Sequence, residues 1–505
     1  MLFSFLTLCL TAFFLWVFAD RRKNPNRAPG PFRYPLLGNL PQIIKADPMP
    51  YRAYYKLSET YGDIMSVKVG LQETVVLSSY EVMKDLLTKE DVSGRLLVGP
   101  LFDRTNGENL GIAFGNGEPQ ETLKVFAHRT LREFGFAKRD SMEALIRIEL
   151  EDIMQKLNKI SQNNGGRTVF ERFFQLGFLN VLWGMLAGKR YSLDDPKLIN
   201  LLKMNSQWFQ SGVFGGGIVF AYPFLRYIFP DALGYNLQQK VNVKIFDYVK
   251  EMIAEHRSRD GFDTDPQSFN DVFLGQIQAD AGKSNSAFTE DHFKITLFDM
   301  IQAGFETTSN TTAFGVLFMM LNQEVQAKVQ KELDGFYSKG SIASMDDRDK
   351  IPYTSATVYE VFRLSNILPI SGPRKTLADV EYNGYFIEKD TAVAFNTYAV
   401  MRSKKIWGDP DNFRPERFLD SKGNLNKMTE PMSIAFGAGK RSCLGEPLAQ
   451  ATVFMTFTTL MRNFKFEPVP GKPLPTTEPV FGMILAPQPY ELVNWLKKEV
   501  FVVSL

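Results

Sequence analysis

A cysteine in a glycine-rich, basic segment is the residue whose chemistry this sequence indicates most sharply. Cys443 lies in the segment FGAGKRSCLG, residues 436–445, and the only other cysteine of the 505 residues is Cys9. Glycines let a backbone turn tightly and approach a flat ligand, and neighbouring bases favour the thiolate. Arg441 is placed to pair with a carboxylate on that ligand. The segment therefore predicts an axial thiolate ligand to a haem iron.

Three other roles for a cysteine compete with this interpretation. A free cysteine is most often a buried structural residue. A zinc site needs several Cys or His ligands, and a nucleophilic cysteine needs a base, usually histidine. The three histidines of the chain, His128, His256 and His292, are all distant from Cys443 in the sequence, so the pattern favours the haem ligand.

The segment resembles the haem-binding loop of the cytochrome P-450 family, F-x-x-G-x-R-x-C-x-G, with every fixed position matched. That resemblance implies a haem b cofactor whose iron is ligated by Cys443. It also implies that Phe436, Gly437 and Arg441 contact the haem. The same family has a mainly α-helical fold with small β-sheets and a single catalytic domain behind an N-terminal membrane anchor, which is the fold we expect here.

A second motif lies in a long apolar helix predicted to begin after the capping residue Thr289. It reads AGFETT, residues 303–308. Glycine within a helix costs about 1 kcal/mol relative to alanine, and hydroxyl side chains bend helices, so a local opening is expected. The motif is similar to the oxygen-activation segment of the family. The resemblance implies that Glu306 and Thr307 form an acid–alcohol pair that supplies protons, and that Ala303 borders the haem.

Two further motifs precede the cysteine in the family's order. Glu360 and Arg363 match its E-x-x-R element, and Arg417 lies in PERF, residues 415–418. Acid and base at i and i+3 share one helical face, and the resemblance gives them a structural role behind the haem. Arg374 falls where the family places a partner for a haem propionate, although an ordinary surface arginine is a serious alternative.

One segment departs from the family pattern. Where the family has W-x-x-x-R, this chain has Gln120 and Lys124. Lysine meets a propionate as a point charge without the bidentate fork of arginine, so weaker haem retention is expected. A basic cluster follows, which is either a solvated face or a docking surface for an acidic electron donor; its members are Arg129, Arg132, Lys138 and Arg139.

The N-terminus predicts a membrane anchor. Residues 1–18 carry no charge and approach the length that spans a bilayer, and the basic flank that follows keeps the body on the cytoplasmic side. A cleaved signal peptide is the alternative. We expect an anchor at 1–19, a basic and proline-rich hinge at 20–40 and a catalytic domain at 41–505, held at the endoplasmic reticulum membrane and facing the cytosol.

Hydrophobic periodicity predicts the elements around these motifs. Helices are expected over 50–61, 80–89, 118–134, 141–162, 168–187, 237–258, 289–321 and 322–337. Strands are expected over 64–69, 73–77, 385–387 and 392–394. The polar stretches 259–286 and 337–349 are interpreted as loops.

The whole pattern is identified as that of a microsomal haem-thiolate monooxygenase. The resemblance implies insertion of one oxygen atom of O2 into a small apolar substrate (xenobiotic, fatty acid or steroid). Electrons would come from NADPH through a flavoprotein reductase, with cytochrome b5 as a second candidate donor. A formal charge of +2 argues against a nucleic-acid partner. Expected pocket residues are Ile112, Phe114, Phe298, Ile301, Ala303, Ile367, Leu368, Ile370, Met483 and Ile484, which could equally belong to the core.

Two other classes of function stay open at this point. One is a haem-thiolate isomerase or dehydratase that acts on a peroxide without O2, against which the intact Glu306–Thr307 pair argues. The other is a non-enzymatic haem or lipid carrier, which only Gln120 supports.

Overall fold

The computed structural model describes residues 24, 26–163, 165–170, 172–210, 218–337 and 343–497. The predicted anchor at 1–19 lies outside these residues. Within them, the structure contains no helix with the length and apolar character needed to span a bilayer.

Helices dominate the described residues. In chain order they are α1 Leu40–Ala46, α2 Pro50–Tyr61, α3 Tyr80–Thr88, α4 Pro100–Asp103, α5 Gly117–Glu133, α6 Arg139–Asn163, α7 Gln175–Ala187, α8 Pro196–Phe209, α9 Ile218–Ala221, α10 Leu225–Ile228, α11 Tyr235–Ser258, α12 Phe269–Ala279, α13 Glu290–Gly304, α14 Glu306–Leu321, α15 Gln323–Phe336, α16 Pro352–Ser365, α17 Thr397–Met401, α18 Lys404–Trp407 and α19 Glu446–Asn463.

The strands are short and form small sheets. They are β1 Ile64–Val69, β2 Gln72–Leu77, β3 Gly94–Arg95, β4 Arg167–Val169, β5 Arg374–Lys375, β6 Val380–Tyr382, β7 Tyr385–Ile387, β8 Ala392–Phe395, β9 Phe464–Pro468, β10 Pro479–Val480, β11 Ala486–Pro487 and β12 Glu491–Leu496. A five-stranded sheet has the order β1-β2-β8-β5-β3, a three-stranded sheet the order β4-β12-β9, and β6-β7 and β10-β11 are pairs. In the largest sheet β2 and β8 are parallel.

The main core surrounds α14 and α19, which are buried along almost their whole length. A helix that is buried on every face is a central helix. Helices α6, α7, α11, α12 and α13 pack around this centre and supply aromatic rings such as Trp183 and Phe293. Because α13 runs directly into α14, the motif at 303–308 is held in the middle of the molecule.

A cluster of charged side chains is buried beside this core, and we call Glu360, Arg363 and Arg417 the Glu360 cluster. Glu360 and Arg363 are both 0% exposed, and the Nε–Oε2 distance between them is 2.6 Å. Arg417 Nε donates to Glu360 Oε1 at 3.1 Å. The remaining donors of Arg363 reach the carbonyls of Met401, Pro410 and Asn412. Every charge in the cluster therefore has a partner, as burial requires.

The mainly helical fold predicted from the sequence is confirmed, and so are most predicted elements. Two predictions were wrong in part, and a third element is divided where a local opening was expected. The predicted helix over 168–187 begins only at Gln175, because residues 167–169 pair with β12 as strand β4. The predicted loop 259–286 contains α12, whose first turn is capped by Ser268 and buries Phe269 and Phe273. The predicted helix over 289–321 is divided at Phe305.

Candidate active site

The loop that carries Cys443 is shaped by its glycines. Gly437 and Gly439 have φ values of 72° and 67°, a region that residues with a Cβ rarely occupy. The amide of Cys443 donates to the carbonyl of Phe436 at 2.8 Å. A Cβ on Gly439 would lie 2.7 Å from the carbonyl oxygen of Leu87, so α3 and the loop approach each other in a way that only glycine permits.

Backbone amides surround the Cys443 sulfur. The thiol is accessible, but protein on its other sides desolvates it and raises its pKa, whereas hydrogen bonds from the amides of Gly445 and Glu446 lower it. These amides lie at the start of α19, where the helix dipole also favours negative charge. Lys440 was expected to favour the thiolate, but its ammonium group pairs with Glu90 and Glu121 instead.

Four buried or half-buried cations lie near the loop, and we call Arg95, Lys124, Arg374 and Arg441 the cation cluster. Burial and the neighbouring Arg374 and Arg441 lower the pKa of Arg95 to about 9. Burial and Arg441 likewise lower the pKa of Lys124 to about 8 and that of Arg374 to about 10. Burial lowers the pKa of Arg441 to about 10. The charges therefore oppose one another in a poorly solvated place.

Arg95 is the member of this cluster that the sequence analysis missed. It lies opposite Arg374 in the pairing of β3 with β5, and like charges directly opposite in a sheet are unfavourable. Its guanidinium donates to the carbonyls of Ala113 and Gly372. Because the pairing joins residues 279 positions apart in sequence, no local motif could have indicated it.

Two guanidinium groups of the cation cluster keep unused donors. Arg374 is 2% exposed, so it is not a surface arginine, and its one hydrogen bond within the described residues goes to the carbonyl of Leu87 at 3.3 Å. Arg441 donates to the carbonyls of Ser93 and Gly115. Arg374 Nε and Arg441 Nη1 are buried without a partner among the described residues. Donors of this kind beside an accessible thiol suit a ligand that carries carboxylates, as haem b does with its two propionates.

The side chain of Lys124 extends from α5 to the backbone of the Cys443 loop. Its Nζ donates to the carbonyls of Lys440 and Ser442, both at 2.8 Å. Gln120, one turn earlier on α5, is buried and donates to the carbonyl of Ile112 at 3.2 Å. Gln120 and Lys124, the two residues that depart from W-x-x-x-R, thus bind backbone carbonyls of the segment at Ile112 and of the Cys443 loop.

The opening predicted in the central helix is present. Phe305 separates α13 from α14, with φ −114° and ψ −41°. Thr307 Oγ1 donates to the carbonyl of Ala303 at 3.0 Å; Ala303 is exposed and Thr307 half-buried, although both lie in the centre of the fold. A Cβ on Gly304 would lie 2.4 Å from Leu182 Cδ2, so the glycine also permits α7 to pack closely.

Glu306 points to different neighbours from Thr307. It is 1% exposed, and its Oε2 accepts hydrogen bonds from Gln175 Nε2 at 2.6 Å and Ser206 Oγ at 2.7 Å. Burial raises the pKa of Glu306 to about 7, against smaller lowering effects of Ser206 and Arg172. No hydrogen bond joins Glu306 to Thr307. Gln175 and Ser206, which come from α7 and α8, were not indicated by any motif.

The expected pocket residues differ in their exposure to solvent. Phe298, Ile301 and Ile484 are buried, whereas Ala303 is exposed and the others are half-buried. The loop at Ile367 is joined to the C-terminal segment because the amide of Leu485 donates to the Ile367 carbonyl at 2.7 Å. The half-buried members able to face a ligand are Ile112, Phe114, Ile367, Leu368, Ile370 and Met483.

An ion pair that the sequence analysis missed fixes the segment with Ile112 and Phe114. Asp299 on α13 pairs with Arg104 at 2.5 Å, and both are buried. Asp299 Oδ2 also accepts from the amides of Ile112 and Ala113 at 3.0 and 2.8 Å. The guanidinium of Arg104 lies 4.8 Å from the ring of Phe114. This segment is therefore tied to the central helix just before the opening at Phe305.

Comparisons with known proteins agree with this geometry. The family described as Cytochrome P450 matches residues 28–494. The relatives include rabbit (Oryctolagus cuniculus) cytochrome P450 2C1, 33% identical, with 92% of this chain and 93% of the relative covered. Cytochrome P450 2D27 of Mesocricetus auratus is 32% identical, with 92% of each covered. Farnesoate epoxidase of Bombyx mori is 28% identical, with 97% of this chain and 98% of the relative covered.

The chain belongs to the cytochrome P450 family. It is accordingly a haem-dependent monooxygenase, and its cofactor is haem b.

Proposed function

We propose that the protein inserts one oxygen atom of O2 into a small apolar substrate, with electrons that come from NADPH through a flavoprotein reductase. The observation that carries the proposal is the combination of an exposed Cys443, four cations that pair with no acid among the described residues, and a helix opened at Phe305. In this assignment Cys443 ligates the iron. Phe436 and Gly437 would border the haem, and Arg374, Arg441, Lys124 and Arg95 would hold its propionates.

Haem b, when bound, supplies oxygen activation and oxygen transfer. The chain supplies the environment. The amides of Gly445 and Glu446 stabilise negative charge on the Cys443 sulfur. Thr307 presents its hydroxyl beside the opening, and Glu306, with its raised pKa, can hold or release a proton near neutral pH. Apolar side chains such as Ile367 and Leu368 exclude water from the reacting substrate.

The nature of the lining supports an apolar substrate. The half-buried expected pocket residues are all hydrocarbon, aromatic or thioether side chains, which is typical of pockets for small organic ligands. One relative of nearly equal length is named for the epoxidation of farnesoate. We include fatty acids and terpenoid acids with steroids and xenobiotics in the proposed substrate class.

The proposed electron donor binds at the basic cluster around the end of α5. Its four cations are exposed, and among the described residues only Arg139 of the four has an acid partner, Asp346. Steering by exposed charges weakens with salt. Charge reversal at Arg129 and Arg132 should therefore raise the reductase concentration that gives half-maximal rate and leave peroxide-driven turnover unchanged. Equal loss in both assays would contradict a docking role.

A membrane-facing surface supports the proposed location at the endoplasmic reticulum. Exposed apolar side chains come from three segments, around residues 36, 71 and 224–229. The third segment touches the other two, since Tyr222 Oη donates to the carbonyl of Leu36 at 2.8 Å and the amide of Leu71 donates to the carbonyl of Ala221 at 3.4 Å. Large exposed apolar patches are typical of membrane or partner contacts. The patch contains Leu36, Leu37, Leu71, Phe224, Tyr227, Ile228 and Phe229.

The proposal is tested by oxygen uptake and by the spectrum of the carbon monoxide complex. Uptake should require NADPH and reductase, and the reduced complex should show the strongly red-shifted Soret band of thiolate ligation. Cys443→Ser should abolish the shift. Turnover of a lipid peroxide without reductase would favour the isomerase class, and no turnover with either would favour a carrier.

The roles of Thr307 and Glu306 are tested by the coupling of NADPH use to product. Thr307→Ala leaves the Cys443 loop intact, so the thiolate spectrum should persist. NADPH should still be consumed, but more of it should end as hydrogen peroxide. Wild-type coupling in this variant would mean that another group delivers the protons.

A further inference from the structure

A pocket lies beside the Cys443 loop. It is formed by α16, the first turns of α19 and the segment 429–436, and its volume is about 140 Å³. An apolar cavity of about 150 Å³ accommodates one benzene ring. The side chains that make most of its wall apolar are Met345, Val358, Tyr359, Phe362, Met432, Phe436 and Phe454.

Two charged side chains of opposite sign also line this pocket. The guanidinium of Arg348 lies 5.2 Å from the centre of the Tyr359 ring and has no hydrogen bond to any residue that the structure describes. Glu446 Oε1 accepts one hydrogen bond, from Gln450 Nε2 at 2.9 Å. The pocket therefore offers hydrogen-bond donors from Arg348 and acceptor positions from Glu446.

Arg348 and Glu446 together determine which ligand charge the pocket favours. A carboxylate would be attracted by Arg348 but repelled by Glu446, and an ammonium group the reverse. A neutral hydroxyl is repelled by neither group, and it can accept a hydrogen bond from a guanidinium or donate one to a carboxylate. We propose that this pocket binds a phenol-sized aromatic molecule with a single hydroxyl group.

The pocket lies where a bound ligand would regulate the protein. Phe436 and Glu446 flank the Cys443 loop, and Met345 adjoins Asp346, the partner of Arg139 in the basic cluster. The ligand would lie between the proposed donor surface and the loop. The binding experiment below measures no turnover, so its outcome is independent of the proposed monooxygenase reaction.

The test is a fluorine NMR titration of 4-fluorophenol with the haem-containing protein. The iron is first saturated with 4-phenylimidazole, so that the proposed substrate position at the haem is filled. We expect saturable binding with a Kd on the order of 1 mM. Fluorobenzene, which lacks the hydroxyl, should bind about tenfold more weakly.

Three variants locate the binding. Arg348→Gln should weaken 4-fluorophenol about tenfold, and Ser433→Trp, at an exposed position that lines the pocket, should abolish binding by filling it. Lys350→Gln, a nearby exposed lysine outside the lining, should change nothing. Unaltered thermal unfolding shows that each variant is folded. Absence of saturable binding, equal binding of fluorobenzene, or binding that survives both pocket variants would overturn the proposal.

Discussion

Two groups of buried charges in this molecule differ in whether opposite charges within the chain balance them. In the Glu360 cluster a carboxylate contacts two guanidinium groups, and the remaining donors of Arg363 meet backbone carbonyls. In the cation cluster burial lowers the pKa of all four groups, neighbouring arginines lower that of Arg95, Lys124 and Arg374 further, and Arg374 and Arg441 each keep a donor without a partner among the described residues. The first group is complete within the chain, and the second is suited to receive anions from a cofactor.

The difference separates folding from ligand binding. A buried ion pair is costly to break because the remaining charge has no partner. A buried cation among cations costs free energy while it is there, so its removal should spare the fold and weaken only what it binds. Substitutions in the two clusters should therefore affect different measurements.

The largest effect is expected in the Glu360 cluster. Glu360→Gln leaves Arg363 buried without a counter-charge and removes one of the two carboxylates that contact Arg417, the other being Asp409. It should lower the free energy of unfolding by about 4 kcal/mol. Denaturant titration followed by circular dichroism measures this change. Glu416→Gln is the control, since Glu416 pairs with Lys328 at the surface and should change stability by about 0.5 kcal/mol or less. Equal effects of the two substitutions would contradict the comparison.

An intermediate effect is expected at Glu306, a buried acid whose hydrogen bonds come from neutral groups. Its pKa in the folded protein, about 7, lies above its ordinary value of 4.5, so the folded state binds more protons between these pH values. Stability should therefore fall as pH rises from about 4.5 to 7, by about 3 kcal/mol in total.

Glu306→Gln keeps an acceptor for Gln175 and Ser206 but does not titrate. It should remove this slope and make the protein more stable than wild type at pH 8, as measured by urea unfolding across the pH range. Glu290→Gln, at an exposed acid that pairs with Lys294, should leave the slope between pH 4.5 and 7 in place. A slope that persists in Glu306→Gln would show that another group titrates there.

The smallest effect is expected in the cation cluster. Arg374→Gln should leave the free energy of unfolding unchanged or slightly raised, because it removes one of the opposing charges. It should speed haem transfer to an acceptor protein about tenfold, since charge-assisted hydrogen bonds to carboxylates contribute about 1.5 kcal/mol or more. Arg414→Gln, at a half-exposed guanidinium paired with Asp409, serves as the control. Loss of stability in Arg374→Gln without faster haem transfer would place Arg374 in the structural class.

The parts of the candidate site that could be predicted from the sequence are those formed by consecutive residues. The Cys443 loop and the segment 303–308 carry their geometry locally, through glycines and hydroxyl groups. Arg95, Gln175, Ser206 and Asp299 act through partners on other elements, so nothing beside them in the sequence indicated a role. Strand β4 was predicted as helix and α12 as loop for the same reason. Pairing with β12 determines the first element, and burial against the core determines the second.

The hydrogen bonds of the Cys443 loop also set the order in which the protein can be made. Arg441 is hydrogen-bonded to residue 93 and to residues 115 and 116, and Lys440 to Glu90 and Glu121, across 319 to 350 positions of sequence. Contacts at such separation form late, because a long loop must close first. The half of the site near residue 90 leaves the ribosome long before the half that carries the cysteine. If the Cys443 loop holds the haem as proposed, we expect haem capture to be a finishing step of biosynthesis, with the N-terminal region of the nascent chain kept folded or protected until then.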